Sequence, residues 1–183
     1  AHAKGIVHRD VKPDNVMLTE TNGETQGSLR AVLMDFGIAK SRETTLVTRT
    51  GTVMGTAAYM SPEQAKSEMV DAASDVWAVG VMLFDMLAGK RPFQGEIEPA
   101  LLYAIVNLEP EPLVGADQEV PESVERVIGK SLAKDGENRY ADAAELLVDL
   151  DRVAAGEAVK GRRLEKRRWG PLAGAAAALL GLA

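Results

Sequence analysis

Cysteine is absent from the 183 residues, which excludes disulfides and thiolate metal sites. No apolar run reaches the roughly 20 residues that a bilayer-spanning helix needs. The nearest candidate, residues 170–183, has 14 uncharged residues of Ala, Leu, Gly and one Pro. No internal repeat appears. Basic charge is scarce outside one place. Residues 156–169 hold six basic residues (Lys160, Arg162, Arg163, Lys166, Arg167, Arg168) against Glu157 and Glu165. The rest of the chain carries 15 basic against 25 acidic residues, a net of −10. An acidic body of this kind argues against general nucleic-acid binding, and the basic stretch is a local feature needing its own explanation. What is present is an ordinary globular mixture, 46% apolar and 26% charged, long enough for one domain with a hydrophobic core.

Apolar residues at 16–18 and 31–34 flank a polar stretch containing Asn22, Gly23 and Gly27, which predicts a hairpin with an irregular connection. Residues 41–56 are rich in Thr and Gly without periodicity, the pattern of a long functional loop. Ser74 reads as the N-cap of a helix running to Ala88, with Gly89 as its stop. That helix is apolar on nearly every side, so it belongs inside the core. Further helices are predicted over 100–106, over 122–133 with Val124, Val127, Ile128 and Leu132 on one face, and over 141–153 with Ala143, Leu146, Leu147, Leu150 and Val153 together. The expected fold class is mainly α with a small β-hairpin (α+β).

The polar stretch "HRDVKPDN" at residues 8–15 concentrates chemistry. Phosphoryl transfer requires metal ligands, a group that orients the hydroxyl nucleophile, and cations that offset developing charge. Carboxylate and amide oxygens suit Mg²⁺; Asp10, Asn15 and Asp35 carry such atoms, and Lys12 is a point charge suited to phosphate. Asp35 follows the apolar run "AVLM", which would hold its carboxylate at a rigid strand end.

"HRDVKPDN", followed by "MDFGIAK", "GTAAYMSPE" and "SDVWAVGVMLFDMLAGKRPF", resembles the protein kinase family over roughly residues 6–155, in the style of bacterial eukaryotic-like (Hanks-type) serine/threonine kinases. The resemblance implies catalytic roles for Asp10, Lys12 and Asn15. Asp10 would take or orient the substrate hydroxyl proton, Lys12 would contact the γ-phosphate, and Asn15 and Asp35 would hold Mg²⁺. ATP and Mg²⁺ are the implied cofactors, with Mn²⁺ an alternative ion. Thr56 resembles the threonine that bonds the catalytic aspartate and lysine. Glu63 would pair with Arg139, and Asp75 would bind backbone amides of the catalytic loop. His8 is read as structural. Arg9 precedes the catalytic aspartate, as in kinases switched on by a phosphorylated activation loop; Thr48, Thr50 and Thr52 are the candidate sites, with Thr44 and Thr45 behind them. Protein substrates and self-association for trans-autophosphorylation are the implied partners. "SPE" in place of A-P-E, Gly136 where proline is frequent, and a long connection over 19–30 are mild departures.

The resemblance also frames the chain's limits. No G-x-G-x-x-G loop, V-A-I-K lysine or partner glutamate precedes residue 8, and the first residue is not Met. The expectation is therefore a C-lobe fragment without its N-lobe, close to inert alone, in which residues 1–7 resemble the last turn of a packing helix. Three parts are expected: a partial lobe over 1–155, a basic juxtamembrane segment over 156–169, and the truncated start of a transmembrane helix over 170–183. Basic residues flanking an apolar segment favour the cytoplasmic side, and Trp169 sits where an interface aromatic belongs, whereas Trp77 is a core residue. That would make the chain the cytoplasmic part of a single-pass membrane protein. A pseudokinase scaffold and a small-molecule kinase of the same fold are the alternatives; the activation segment favours protein substrates.

Overall fold

The computed structural model describes residues 1–20, 29–35, 57–113, 120–161 and 164. Two antiparallel strands, β1 (Val16–Glu20) and β2 (Leu29–Leu33), pair in register from Val16 opposite Leu33 to Glu20 opposite Leu29. The arms run further toward the connection than the apolar residues alone predict. Met34 falls just past β2, where its N–H donates to the Asn15 carbonyl at 2.8 Å. Leu18 and Leu29 are exposed, so this ribbon is not a core element.

The rest is helical. The short α1 (Pro62–Ala65) starts with a capping box: Ser61 Oγ accepts from the Gln64 N–H, and Gln64 Oε1 accepts from the Ser61 N–H. Ser before Pro, with Gln three residues on, is the sequence form of that motif. Next comes α2 (Ala72–Ala88), which ends at Gly89 in the left-handed conformation, φ 65°. Its N-cap is Asp71, whose carboxylate accepts from the Ala73 N–H at 2.9 Å. The expected cap at Ser74 is therefore corrected. Asp71 captures the first orphan amide one turn earlier, and Ser74 is drawn into a buried polar cluster instead. The first half of α2 is buried on all sides, whereas Met86 near its end is exposed.

Around α2 pack α3 (Glu98–Asn107), α4 (Glu122–Ser131) and α5 (Ala143–Ala154). Gly80 lets α2 approach α4: a Cβ there would lie 2.7 Å from Ser131 Cβ. The main core joins Trp77, Val81 and Phe84 of α2 to Leu101, Ile105, Ile128 and Leu132, and Trp77 stacks on Phe93 at 5.4 Å. A second cluster joins Val76, Val127, Tyr140, Leu146 and Val159. On α5, Leu146 is buried, but Ala143 and Leu147 face solvent. The buried face is turned from the one that the apolar spacing suggests toward Asp149, whose carboxylate accepts from the Tyr140 hydroxyl at 3.0 Å.

Residues 2–4 form a single 3₁₀ turn closed by Gly5 at φ 69°. After α5 the chain returns to α4, burying Val159 and Leu164. There Arg126 Nη1 donates to the Gly161 carbonyl at 2.6 Å. Among the described residues, no helix is long and apolar enough to cross a membrane. Residues 165–183, including Trp169, lie outside the described residues, as do Phe36, Gly37 and the threonines at 44, 45, 48, 50, 52 and 56.

Candidate active site

Residues 8–15 form a tight polar loop whose backbone is held from three directions. Arg9 is in the left-handed region, φ 67°, which costs a non-glycine residue roughly 1–2 kcal/mol. Its neighbours hold it there. The Asp75 carboxylate, one turn into α2, accepts the His8 N–H at 2.7 Å and the Arg9 N–H at 2.8 Å. On the other side, Gln64 Nε2 of α1 donates to the Arg9 carbonyl at 2.8 Å. The third anchor is the buried ring of His8. It lies 2.9 Å from the Met34 carbonyl through Nε2, and because a carbonyl only accepts, Nε2 carries the proton. Nδ1 is then the acceptor for the Asp10 N–H at 3.3 Å.

On this frame the polar side chains converge. Lys12 Nζ lies 3.1 Å from Asp10 Oδ2. Asn15 Nδ2 donates to that same oxygen at 3.1 Å and to the Asp10 carbonyl at 2.7 Å. Both amide hydrogens of Asn15 are thus directed at Asp10, and Oδ1 remains as its acceptor atom. Pro13 starts the 3₁₀ turn Pro13–Asn15 that folds Asn15 back over the loop. Asp35 is exposed, with φ 54°. It directly follows Met34, whose N–H and C=O are bonded to Asn15 and His8, so the strand end and the loop are fastened together one residue before the carboxylate.

A second polar cluster lies beneath. Arg139 is fully buried at its side chain and meets Glu63 as a two-pronged pair, Nη1 to Oε1 at 2.7 Å and Nη2 to Oε2 at 2.9 Å. It also donates to the carbonyls of Ala73 (3.2 Å), Ala133 (2.7 Å) and Lys134 (3.0 Å). The Ser74 hydroxyl donates to the same Glu63 carboxylate. Burial works against the charge on Glu63, but the hydrogen bonds from Arg139 and Ser74 outweigh it and hold the carboxyl at about 2. Lys134 extends the cluster: its ammonium donates to the carbonyls of Ala104 (3.3 Å) and Ile105 (2.5 Å) and lies 3.8 Å from the Phe93 ring centre. Burial pushes that amine down to about 7 against the attraction of Glu109, and Arg139 adds to the depression.

Of the residues singled out from the sequence, His8, Arg9, Asp10, Lys12, Asn15 and Asp75 are brought together, with Asp35 adjoining them. Glu63 and Arg139 form the neighbouring cluster, and the threonines lie outside the described residues. Gln64, Ser74 and His2 were not anticipated. Gln64 had a signal, its capping-box spacing from Ser61. Ser74 reads from its sequence position as a helix cap, not as a donor to Glu63. His2 had none: it acts across 73 and 141 residues.

A family model described as protein kinase domain matches residues 1–149. The chain is 42% identical over 158 residues to serine/threonine-protein kinase PknB of Mycobacterium leprae, which covers 86% of this chain and 24% of that protein. It is 43% identical over 160 residues to PknB of Mycolicibacterium smegmatis, with the same coverage. The probable PknB of Lactococcus lactis is 37% identical over 150 residues, 82% of this chain and 23% of that protein. The chain therefore spans about a quarter of the length of the curated relatives it matches.

Proposed function

Since the chain belongs to the protein kinase family, with bacterial serine/threonine kinases as relatives, we propose that its parent protein transfers the γ-phosphoryl group of ATP to serine and threonine hydroxyls of other proteins. The observation that carries this is the convergence of Lys12 and Asn15 on one Asp10 oxygen, both at 3.1 Å. The Lys12 ammonium and the Asn15 amide hold the Asp10 carboxylate in one orientation. Held there, it can orient an incoming hydroxyl and receive its proton. Lys12 also brings a cation to where phosphate charge develops.

The family generally uses ATP with Mg²⁺, and the donor set here fits that ion. Asn15 Oδ1 and the Asp35 carboxylate are hard oxygen ligands. Among the described residues, no group of three or more His, Cys, Asp or Glu forms a self-sufficient metal site. Asn15 and Asp35 would thus hold an ion that shares its coordination with phosphates. Bound there, the ion would neutralise charge on the transferring group; Mn²⁺ would fit the same oxygens.

Residues 1–155 form in this reading the substrate-side lobe, with Thr56 supporting Asp10 and Lys12. Thr48, Thr50 and Thr52 would be modified by a second copy and paired with Arg9. Alone, residues 1–183 would be nearly inert, because positioning supplies most of the catalysis and no glycine-rich loop is included. The basic stretch 156–169 and the apolar 170–183 would lead into a membrane anchor, placing the lobe on the cytoplasmic face.

The test is phosphate transfer from labelled ATP by the full-length protein beside Asp10→Asn. Label on serine or threonine that falls at least about a hundredfold in the variant supports the reading. A folded, Mg-ATP-supplied protein that transfers nothing would make it a binding scaffold.

A further inference from the structure

Helix α5 ends in a reversal that sends the chain back onto the lobe. Gly156 is left-handed, φ 73°; its N–H donates to the Val153 carbonyl at 3.0 Å, and the Glu157 N–H donates to the Arg152 carbonyl at 2.8 Å. Two such bonds about a left-handed glycine make a Schellman stop. Val159 then joins Val76, Val127, Tyr140 and Leu146 in the second core cluster. Further along, Leu164 joins Trp77 and Ile128 in the main core. Val127 and Ile128 are consecutive on α4, so the segment crosses that helix between the two clusters.

The crossing point is Arg126. A Cβ on Gly161 would lie 3.2 Å from the Arg126 carbonyl oxygen, so only a residue without a side chain sits this close to the helix. Arg126 Nη1 donates to the Gly161 carbonyl at 2.6 Å, and Glu122 Oε1 accepts from Nη2 at 2.6 Å, which fixes the guanidinium over the segment. We propose that residues 157–164 form a latch: a strap, clasped by Arg126, that closes across α4, carries the first part of the basic stretch on the lobe, and frees the chain beyond it when it opens. The family model stops at residue 149, so the kinase reading neither accounts for this strap nor supports it.

The strap is built to open before the helices do. Glu157, Ala158 and Lys160 are exposed. Among the described residues, no backbone–backbone hydrogen bond ties 158–161 to another element. Two buried side chains and one clasp hold it, and a segment with so few ties opens locally at less cost than the whole fold. Opening removes Val159 from Tyr140 and Leu146, so the second cluster registers whether the strap is closed. It also adds residues 157–164 to the downstream linker, a reach of roughly 25 Å when extended. For a membrane-anchored parent, as read above, the latch would set how far the lobe stands from its anchor; the latch itself does not depend on that reading.

The test is native-state cleavage of the full-length protein by a lysine-specific endoprotease, with initial rates read by mass spectrometry after Lys160 and after Lys130 in α4. A synthetic peptide of residues 155–169 gives the rate of the same site without the fold. In wild type, cleavage after Lys160 should be at least about a hundredfold slower than in the peptide, yet faster than after Lys130, which needs global unfolding. Arg126→Met removes the clasp, and Gly161→Val, compared with its own matching peptide, pushes the strap off α4. Each should speed cleavage after Lys160 about tenfold while leaving Lys130 within about twofold. Hydrogen exchange across α5 should accelerate in both variants, and that in β1 should not. Wild-type cleavage at the peptide's rate would overturn the proposal, because the strap would then not close. Equal, slow rates at Lys160 and Lys130 would overturn it too, since the strap would then have no opening of its own. So would faster cleavage after Lys160 with α5 exchange unchanged, which would detach the strap from the second cluster. If Gly161→Val does not fold, Arg126→Met decides.

Discussion

Replacing Arg139 by Met is the perturbation whose size can best be worked from the structure. The guanidinium is fully buried and makes five hydrogen bonds, two to Glu63 and three to the carbonyls of Ala73, Ala133 and Lys134. Met approximates its volume but satisfies none of these groups. Glu63 keeps the Ser74 hydroxyl, yet its carboxylate would be mostly buried with no counter-charge. Removing one partner of a buried pair costs about 3–5 kcal/mol, chiefly through the charge left behind. A domain of this size is stable by roughly 5–15 kcal/mol, so Arg139→Met should leave it marginal. The double variant Glu63→Gln with Arg139→Met should cost clearly less than the two singles together, because neither leaves an orphan charge for the other.

Acid supplies an independent check on that reasoning. In the wild type Glu63 is held at about 2, below its ordinary 4.5. A lowered folded value means stability that is present above the unfolded value and lost as pH falls through the folded one. In Arg139→Met the same carboxyl is buried without its cation, so protonation relieves it. The stability gap between the two proteins, measured by urea unfolding, should therefore narrow between about pH 6 and pH 3. A gap under about 1 kcal/mol at neutral pH, or one unchanged by acid, would refute the assignment of the cost to an uncompensated Glu63 charge.

Gly80→Ala should lower stability by about 1–3 kcal/mol, read as a fall in Tm, because its Cβ would meet Ser131 Cβ at 2.7 Å and Leu132 Cδ2 at 3.3 Å; Ser131→Gly in the same chain should return part of the loss, and failure to do so would mean the helices can shift apart. The buried amine of Lys134 is held at about 7, below its usual 10.5, so between those values the unfolded chain binds the proton that the folded one lacks. Wild type should gain stability over Lys134→Met as pH rises from about 7 to about 10, and a flat difference across that range would show the amine remains charged in the fold.

Much of this architecture is legible in the sequence because it is local. Helices appear where apolar spacing and caps agree, as at α2, where Gly89 ends the helix in a left-handed residue as a C′ glycine should. The polar loop is legible by composition, and Asp10, Lys12 and Asn15 stand within five residues of one another. The errors arise where two local signals compete. Asp71 and Ser74 are both good caps, and only tertiary contact with Glu63 decides that Ser74 is needed elsewhere. Leu147 fits the helical stripe but faces solvent, since the buried face of α5 is centred on Leu146 and Asp149, turned away from it. Long-range polar pairs leave no trace in periodicity. Glu63 and Arg139, 76 residues apart, could be paired only through the family resemblance, and nothing near His2 in sequence hints at Asp75 or Ala143.

The manner of holding the loop bears on how its chemistry is arranged. Four anchors from described residues outside the loop end on a backbone atom or on the His8 ring: Asp75 on the His8 and Arg9 amides, Gln64 on the Arg9 carbonyl, Met34 on His8 Nε2. None of these bonds takes a side-chain atom of Asp10 or Lys12. Fixing the backbone from α1, α2 and the end of β2 therefore costs the reacting groups no hydrogen-bonding capacity, and the left-handed strain at Arg9 is sustained by three elements rather than by the loop itself. A side-chain change at Asp10 should consequently alter chemistry while sparing the fold, whereas a change at Asp75 or Gln64 should release the strained turn. Local hydrogen exchange at Arg9 separates the two cases directly, since the first leaves it protected and the second does not.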